Sequence, residues 1–228
     1  MSARNVIKSF QYALQGIVHS LATQRNMRIH FVIALCVMLL SLVLGVSRWE
    51  ALLLFIAITL VIITELFNTA IEALVDMATE KYHPLAKIAK DVAAGAVFLT
   101  AGLSIAIGMT VFIPYIYARA RGTLVEDFYN PDVGAVFVLG VVLFGTILLK
   151  AAARYREWRT SPSLTTSLAV SIVLLVWGMT LHTLVSLLVT LLCLMFVGSR
   201  LYIQSEWAPI LWGAFVGSVI TLAGFLLI

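Results

Sequence analysis

Apolar residues run almost unbroken over about 31–47, 51–70, 92–116, 133–149, 166–181, 182–198 and 208–228, and charge, glycine and proline return between these runs. A membrane-spanning helix needs about 20 predominantly apolar residues. The pattern therefore predicts an all-α integral membrane protein with about seven transmembrane helices, the break between the fifth and sixth being the least marked. Ahead of them, Ile7, Phe10, Leu14, Ile17 and Leu21 recur every three or four residues while Lys8, Gln11, Gln15 and His19 take the other faces. That period predicts an N-terminal amphipathic helix over about 4–22, lying in the membrane interface. No long apolar core follows the basic start closely enough to read as a cleavable signal peptide, so this helix is expected in the mature protein.

The longest polar stretch after the third run is Ala118–Asp132, where Gly122, Asn130 and Pro131 break any period. It reads as a linker (118–132) between a three-span half (1–117) and a four-span half (133–228). No internal repeat is visible. The halves differ in where their charges lie, which argues against an inverted-repeat transporter.

Composition agrees with the pattern. Of 228 residues 62% are hydrophobic and 11% charged, against about a quarter charged in a soluble domain. A net charge of +4 would suggest a nucleic-acid partner in a soluble protein. Here, with the N-terminus cytoplasmic, Arg4, Lys8, Arg25, Arg28, Lys81, Lys87, Lys90, Lys150, Arg154, Arg156, Arg159 and Arg200 fall on the inner side, leaving Arg48, Arg119 and Arg121 outside. That is the positive-inside asymmetry, and no nucleic acid is expected. Cys36 and Cys193 lie inside apolar runs and are expected to be small buried hydrophobes rather than a disulfide or metal site.

Chemistry concentrates in the second run, which continues past Thr64 as Glu65-Leu-Phe-Asn68-Thr69-Ala-Ile-Glu72-Ala-Leu-Val-Asp76. At about 100° per residue, Glu65, Asn68, Glu72 and Asp76 fall within about 80° of arc on one helix face. Counting about 20 residues from Ala51 puts Glu65 just inside the hydrocarbon, Glu72 at headgroup level and Asp76 in water. A carboxylate at such a depth costs about 2–3 kcal/mol and marks a functional site by default. The plain alternatives are a helix-packing role for Glu65 and a solvated helix end for Glu72 and Asp76, and the alignment of four polar groups counts against both.

Lys81-Tyr82-His83-Pro84-Leu-Ala-Lys87-Ile-Ala-Lys90-Asp91 follows directly, with Pro84 suited to open a helix. Carboxylates facing lysines at headgroup level suit phosphoryl transfer. The carboxylates hold Mg²⁺ on a polyphosphate and take a proton from an attacking hydroxyl, and ammonium groups neutralise phosphoryl oxygens. The lysines also have a simpler reading, as cytoplasmic anchors. The chain carries no Walker A pattern, so a nucleotide would be held without a P-loop.

The string Glu65-x-x-Asn68-Thr69-Ala-Ile-Glu72-x-x-x-Asp76 with Tyr82-His83-Pro84-Leu-Ala-Lys87-Ile-Ala-Lys90-Asp91-Val-Ala-Ala-Gly-Ala-Val resembles the prokaryotic diacylglycerol kinase family. Arg25-Asn26-Met27-Arg28-Ile29-His30 resembles its undecaprenol kinase branch, and the likeness covers about residues 5–116. The resemblance implies a homotrimer with active sites between protomers at the cytoplasmic face of a bacterial membrane, moving the γ-phosphate of ATP to a lipid alcohol. It further implies Glu65 as general base, Asn68 and Asp76 as polar supports, Glu72 as a Mg²⁺ ligand, and Tyr12, Tyr82, His83, Lys90 and Asp91 as ATP contacts. Gln24 stands where the family normally has a second metal-binding glutamate, and Asn5 replaces a basic residue common in part of the family. A neutral amide oxygen ligates Mg²⁺ without contributing charge.

In the second half, Lys150, Arg154, Arg156 and Arg159, then Ser161-Pro162-Ser163-Leu164-Thr165, then Gly198-Ser199-Arg200 weakly resemble the membrane phosphatidic acid phosphatase family over about 133–228. Leu164 and Thr165 occupy the Gly-His place, and Ser205 or Glu206 with Pro209 or Ile210 occupy those of the second histidine and its carboxylate. His182 is the only histidine of this half, and the topology puts it on the opposite face. Without an imidazole there is no nucleophile or general acid of the usual type, so the half is expected to be a degenerate, inactive phosphatase-like bundle. Its plain reading is a cytoplasmic topology anchor and a structural bundle, and its arginines remain suited to an anionic headgroup. The sequence thus leads to an ATP- and Mg²⁺-dependent lipid kinase, undecaprenol favoured over diacylglycerol, with a non-catalytic lipid-binding protein as the rival.

Overall fold

The computed structural model describes residues 3–79, 81–121, 131–180, 182–204 and 206–227, with the side chains of 3–7, 131 and 200–204 outside that description. The described residues form helices and their connections, with no strand among them. The helices are α1 (Ala3–Thr23), α2 (Arg25–Leu44), α3 (Arg48–Ala78), α4 (Pro84–Ala120), α5 (Pro131–Tyr155), α6 (Leu164–Met179), α7 (Thr183–Gln204) and α8 (Ala208–Leu227). Five of them, α2, α3, α4, α5 and α8, are long and apolar enough to cross a membrane, which makes this a multi-pass membrane protein. The other two sequence runs correspond to α6, of 16 residues, and to α7, whose apolar part is Thr183–Ser199. α6 is shorter than the usual full crossing, whereas the whole of α7 has 22 residues.

Several boundaries differ from the hydropathy pattern for a physical reason. α2 begins at Arg25, six residues before its apolar run, and α3 and α4 extend well beyond theirs. Hydropathy senses the apolar solvent, whereas helical hydrogen bonding continues through the polar headgroup layer. α4, with 37 residues, is about 55 Å long, against a hydrocarbon core of about 30 Å. The amphipathic α1 matches its predicted extent and leaves Phe10 exposed, as an interfacial helix would. The expectation of buried thiols fails for Cys36, which is exposed, while Cys193 is half-buried and both are free. Lipid-facing and protein-facing positions are equally apolar, so hydropathy cannot separate them. Of the proposed linker, residues 122–130 lie outside the described residues, as does Ser205; the side chain of Arg200 is likewise undescribed.

Two compact units divide the chain: Met1–Val37 with Arg48–Asp127, and Met38–Ser47 with Phe128–Ile228. In the first, α3 and α4 form an antiparallel hairpin. α3 buries Ala51, Leu54, Ile58, Val61, Glu65 and Asn68 along one stripe. Polar ties follow the seam from end to end. Tyr115 Oη donates to Glu50 Oε2 at 2.6 Å, Ser104 Oγ to the Ala57 carbonyl at 3.1 Å, and Thr64 Oγ1 lies 2.8 Å from Thr100 Oγ1. In an apolar solvent such bonds, together with close packing, hold helices together where no hydrophobic force does.

In the second unit α6 and α8 run parallel at backbone contact. A Cβ added at Gly213 would lie 2.5 Å from the Ser163 carbonyl oxygen, and one at Gly217 would lie 2.3 Å from that of Ser167. One turn further, Ser171 Oγ and Thr221 Oγ1 are 2.7 Å apart. Gly213-Ala-Phe-Val-Gly217 is thus a small-xxx-small surface on which the α6 backbone rests. α7 returns antiparallel along α6, tied by Trp177 Nε1 donating to Thr190 Oγ1 at 3.0 Å. α5 closes the bundle, with Val138 against Gly224.

Candidate functional site

Along α3 the polar stripe passes from dry to wet. Glu65 is 2% and Asn68 6% exposed, Glu72 is half-buried and Asp76 is exposed. Helical periodicity alone puts them on one face, since positions three and four apart are neighbours. Asn68 Nδ2 donates to Glu72 Oε1 at 3.0 Å, so the amide orients one carboxylate oxygen and leaves Oε2 for another partner. Glu65 Oε2 and Asn68 Oδ1 are buried acceptors with no donor among the described residues. Orphaned buried acceptors cost about 1–3 kcal/mol each and call for a donor from elsewhere.

The end of α3 is joined to the start of α4 by an ion pair, Lys90 Nζ with Asp76 Oδ1 at 2.5 Å. Both groups are partly in water, so the pair contributes little stability and serves mainly to fix where the ammonium stands. α4 begins at Pro84 as its spacing predicts, in the first turn where a missing N–H does no harm. His83 is its N-cap: Nδ1 accepts from the Leu85 N–H at 3.3 Å, which leaves Nε2 directed elsewhere. Tyr82 and Asp91 are exposed beside it.

Two contacts link the stripe, Asn68 with Glu72 and Asp76 with Lys90, while Glu65 lies on the same face about 16 Å along the helix from Asp76, and His83 and Tyr82 are at the Asp76 end of the hairpin. Tyr12 is exposed on α1 and is not joined to that group by any hydrogen bond among the described residues. Gln24 occupies the break between α1 and α2, where its N–H donates to the Ser20 carbonyl at 2.7 Å. Among the described residues no hydrogen bond links it to Glu72. No group of three His, Cys, Asp or Glu side chains suited to a metal forms there either. A single half-buried carboxylate with one free oxygen still fits Mg²⁺, which takes one or two carboxylates and otherwise phosphate and water.

Sequence reasoning gave no role to two hydroxyls. Ser20 Oγ lies 3.2 Å from Thr69 Oγ1, and Thr69 Oγ1 donates to the Glu65 carbonyl at 2.9 Å. Thr69 stands inside the motif, next to Asn68. Only its partner on α1 was invisible.

A helical hairpin that carries carboxylates along a membrane-spanning helix out to a lysine and a histidine at its exposed end has the groups that chemistry between lipid and water would use. The family model for prokaryotic diacylglycerol kinase matches residues 11–112. An undecaprenol kinase of Bacillus subtilis (strain 168) is 43% identical over 107 residues, 47% of this chain and 87% of that protein. A diacylglycerol kinase of Synechocystis sp. is 42% identical over 113 residues, 49% of this chain and 65% of that protein. One of Pseudomonas aeruginosa is 31% identical over 96 residues, 42% of this chain and 78% of that protein. No solved structure matches. The chain belongs to the prokaryotic diacylglycerol kinase family, a family of membrane lipid kinases. Residues beyond 112 lie outside that match.

Proposed function

We propose that the protein transfers the γ-phosphate of ATP to a membrane lipid alcohol at the cytoplasmic face of a bacterial cell membrane. Undecaprenol is the favoured acceptor and diacylglycerol the second choice. The observation that carries this reading is the orphaned carboxylate oxygen of Glu65, buried at the dry end of the stripe and flanked by the orphaned amide oxygen of Asn68. A lipid hydroxyl arriving from the bilayer supplies the missing donor. Glu65 then accepts its proton as the oxygen attacks phosphorus.

Glu72, oriented by Asn68, is the Mg²⁺ ligand, with Gln24 as a neutral second candidate. When bound, Mg²⁺ neutralises the polyphosphate and supplies the positive charge that phosphoryl transfer requires. Lys90, held by Asp76, faces the phosphates with its remaining donors. His83 Nε2, Tyr82, Asp91 and Tyr12 complete the nucleotide contacts. No hydrogen bond among the described residues joins Tyr12 or Gln24 to the hairpin group, and in the homotrimer of this reading neighbouring copies complete each site.

The kinase occupies 1–117, and 133–228 is a four-span bundle without phosphatase activity, for a total of seven crossings. The rival reading, lipid binding without turnover, draws on Gln24 in place of a second carboxylate. Purified protein in lipid vesicles with γ-labelled ATP and Mg²⁺ separates the two: the kinase labels undecaprenol or diacylglycerol, and a binding protein labels neither.

A further inference from the structure

α1 meets α3 through Ser20, which is 2% exposed. The hydroxyl proton of Thr69 is committed to the Glu65 carbonyl at 2.9 Å, so in the 3.2 Å contact Ser20 is the donor and Thr69 the acceptor. A polar chain therefore runs from Ser20 O–H to Thr69 O–H to the backbone of Glu65. Val18 and Leu21 of the same helix end are buried, while the far end of α1 leaves Phe10 exposed. The same turn of α3 carries Asn68, whose amide holds Glu72.

We propose that Ser20 and Thr69 are positioning residues of the phosphoryl-transfer site, their hydroxyl pair tying the interfacial helix to the turn of α3 that carries Glu65 and Asn68. The proposal rests on the lipid-kinase reading above. An amphipathic helix lies where a lipid hydroxyl must approach, so its docking fixes the lipid side of the site. Most of the proposed nucleotide contacts, Tyr82, His83, Lys90 and Asp91, stand at the start of α4, where Lys90 is held by Asp76, and only Tyr12 is on α1, so loss of the Ser20 tie should weigh more on the lipid side than on the nucleotide side. Interhelical hydroxyl bonds in membranes have modest strength, which corresponds to about a three- to tenfold effect on the step they position.

The test uses full-length protein carrying Cys36→Ser and Cys193→Ser, reconstituted in vesicles, with kinetics in both lipid alcohol and Mg-ATP. Ser20→Ala and Thr69→Val are each expected to lower kcat/KM for the lipid about three- to tenfold, with a clearly smaller change in KM for ATP. The double variant should be no worse than the poorer single, and Ser20→Thr and Thr69→Ser should restore activity by restoring the hydroxyl. In the same background, Ser20→Cys with Thr69→Cys should cross-link on oxidation, and the cross-linked protein should keep the turnover of its reduced form. Singles at wild-type lipid kcat/KM, additive losses, an equal rise in both KM values, or a pair that does not cross-link would overturn the positioning role alone. A wild type that phosphorylates no lipid would overturn the kinase reading, and this proposal with it.

Discussion

Replacing Gly217 with alanine probes the tightest packing in the second unit. The new Cβ would stand 2.3 Å from the Ser167 carbonyl oxygen and 3.0 Å from the Ser167 C and Cα atoms, all of them backbone and unable to rotate away. α8 must retreat by roughly 1 Å to reach ordinary van der Waals separation. That retreat stretches the 2.7 Å bond between Ser171 and Thr221 one turn on and loosens Gly224 against Val138. Overpacking costs about 1–3 kcal/mol, and a lost interhelical hydrogen bond adds about 0.6 kcal/mol. The expected destabilisation is about 2–4 kcal/mol.

Gly198→Ala is the control in the same unit, because a Cβ there meets nothing within 4 Å. It should be neutral, or stabilising by up to about 1 kcal/mol. Thermal unfolding in one detergent, read by loss of helical circular dichroism, compares the two. Kinase turnover at low temperature should survive both substitutions, since the proposed site residues lie on α1, α3, α4 and their connections. Equal unfolding temperatures for the two variants would refute the close-packed α6–α8 interface.

Glu157 ends α5 in the left-handed region, φ 52°, where the Trp158 N–H closes on the Ala153 carbonyl at 2.9 Å. Glycine favours that position, so Glu157→Gly should raise stability by about 1 kcal/mol, seen as a higher unfolding temperature, and a lower one would contradict the strain. Gln24→Glu adds a negative charge to the proposed metal environment and should lower the Mg²⁺ needed for half-maximal activity without changing the lipid preference. Superimposable Mg²⁺ titrations of two active proteins would place residue 24 beyond the metal's reach.

The candidate stripe was legible because helical periodicity is local: Glu65, Asn68, Glu72 and Asp76 share a face whatever packs against it. The start of α4 was legible for the same reason, since Pro84 acts on its own turn. What sequence left hidden depends on contacts between helices. Ser20 and Thr69 are unremarkable in their own helices and gain meaning only where α1 crosses α3. Gly213 and Gly217 mark a close approach, but the carbonyls of Ser163 and Ser167 that they admit are not encoded by spacing. The exposure of Cys36 and the length of α4 escaped hydropathy because lipid, protein interior and headgroup layer are distinguished by geometry.

The lipid phosphorylation proposed for this protein requires Glu65 as the base that receives the lipid hydroxyl's proton. Glu65→Gln keeps the shape of the side chain and removes its basicity, and single-turnover phosphorylation of undecaprenol in vesicles, alongside nucleotide binding, measures the consequence. The expected rate is about 10²–10⁴ lower with ATP affinity nearly unchanged. A Glu65→Gln protein that phosphorylates lipid at the wild-type rate would contradict that role.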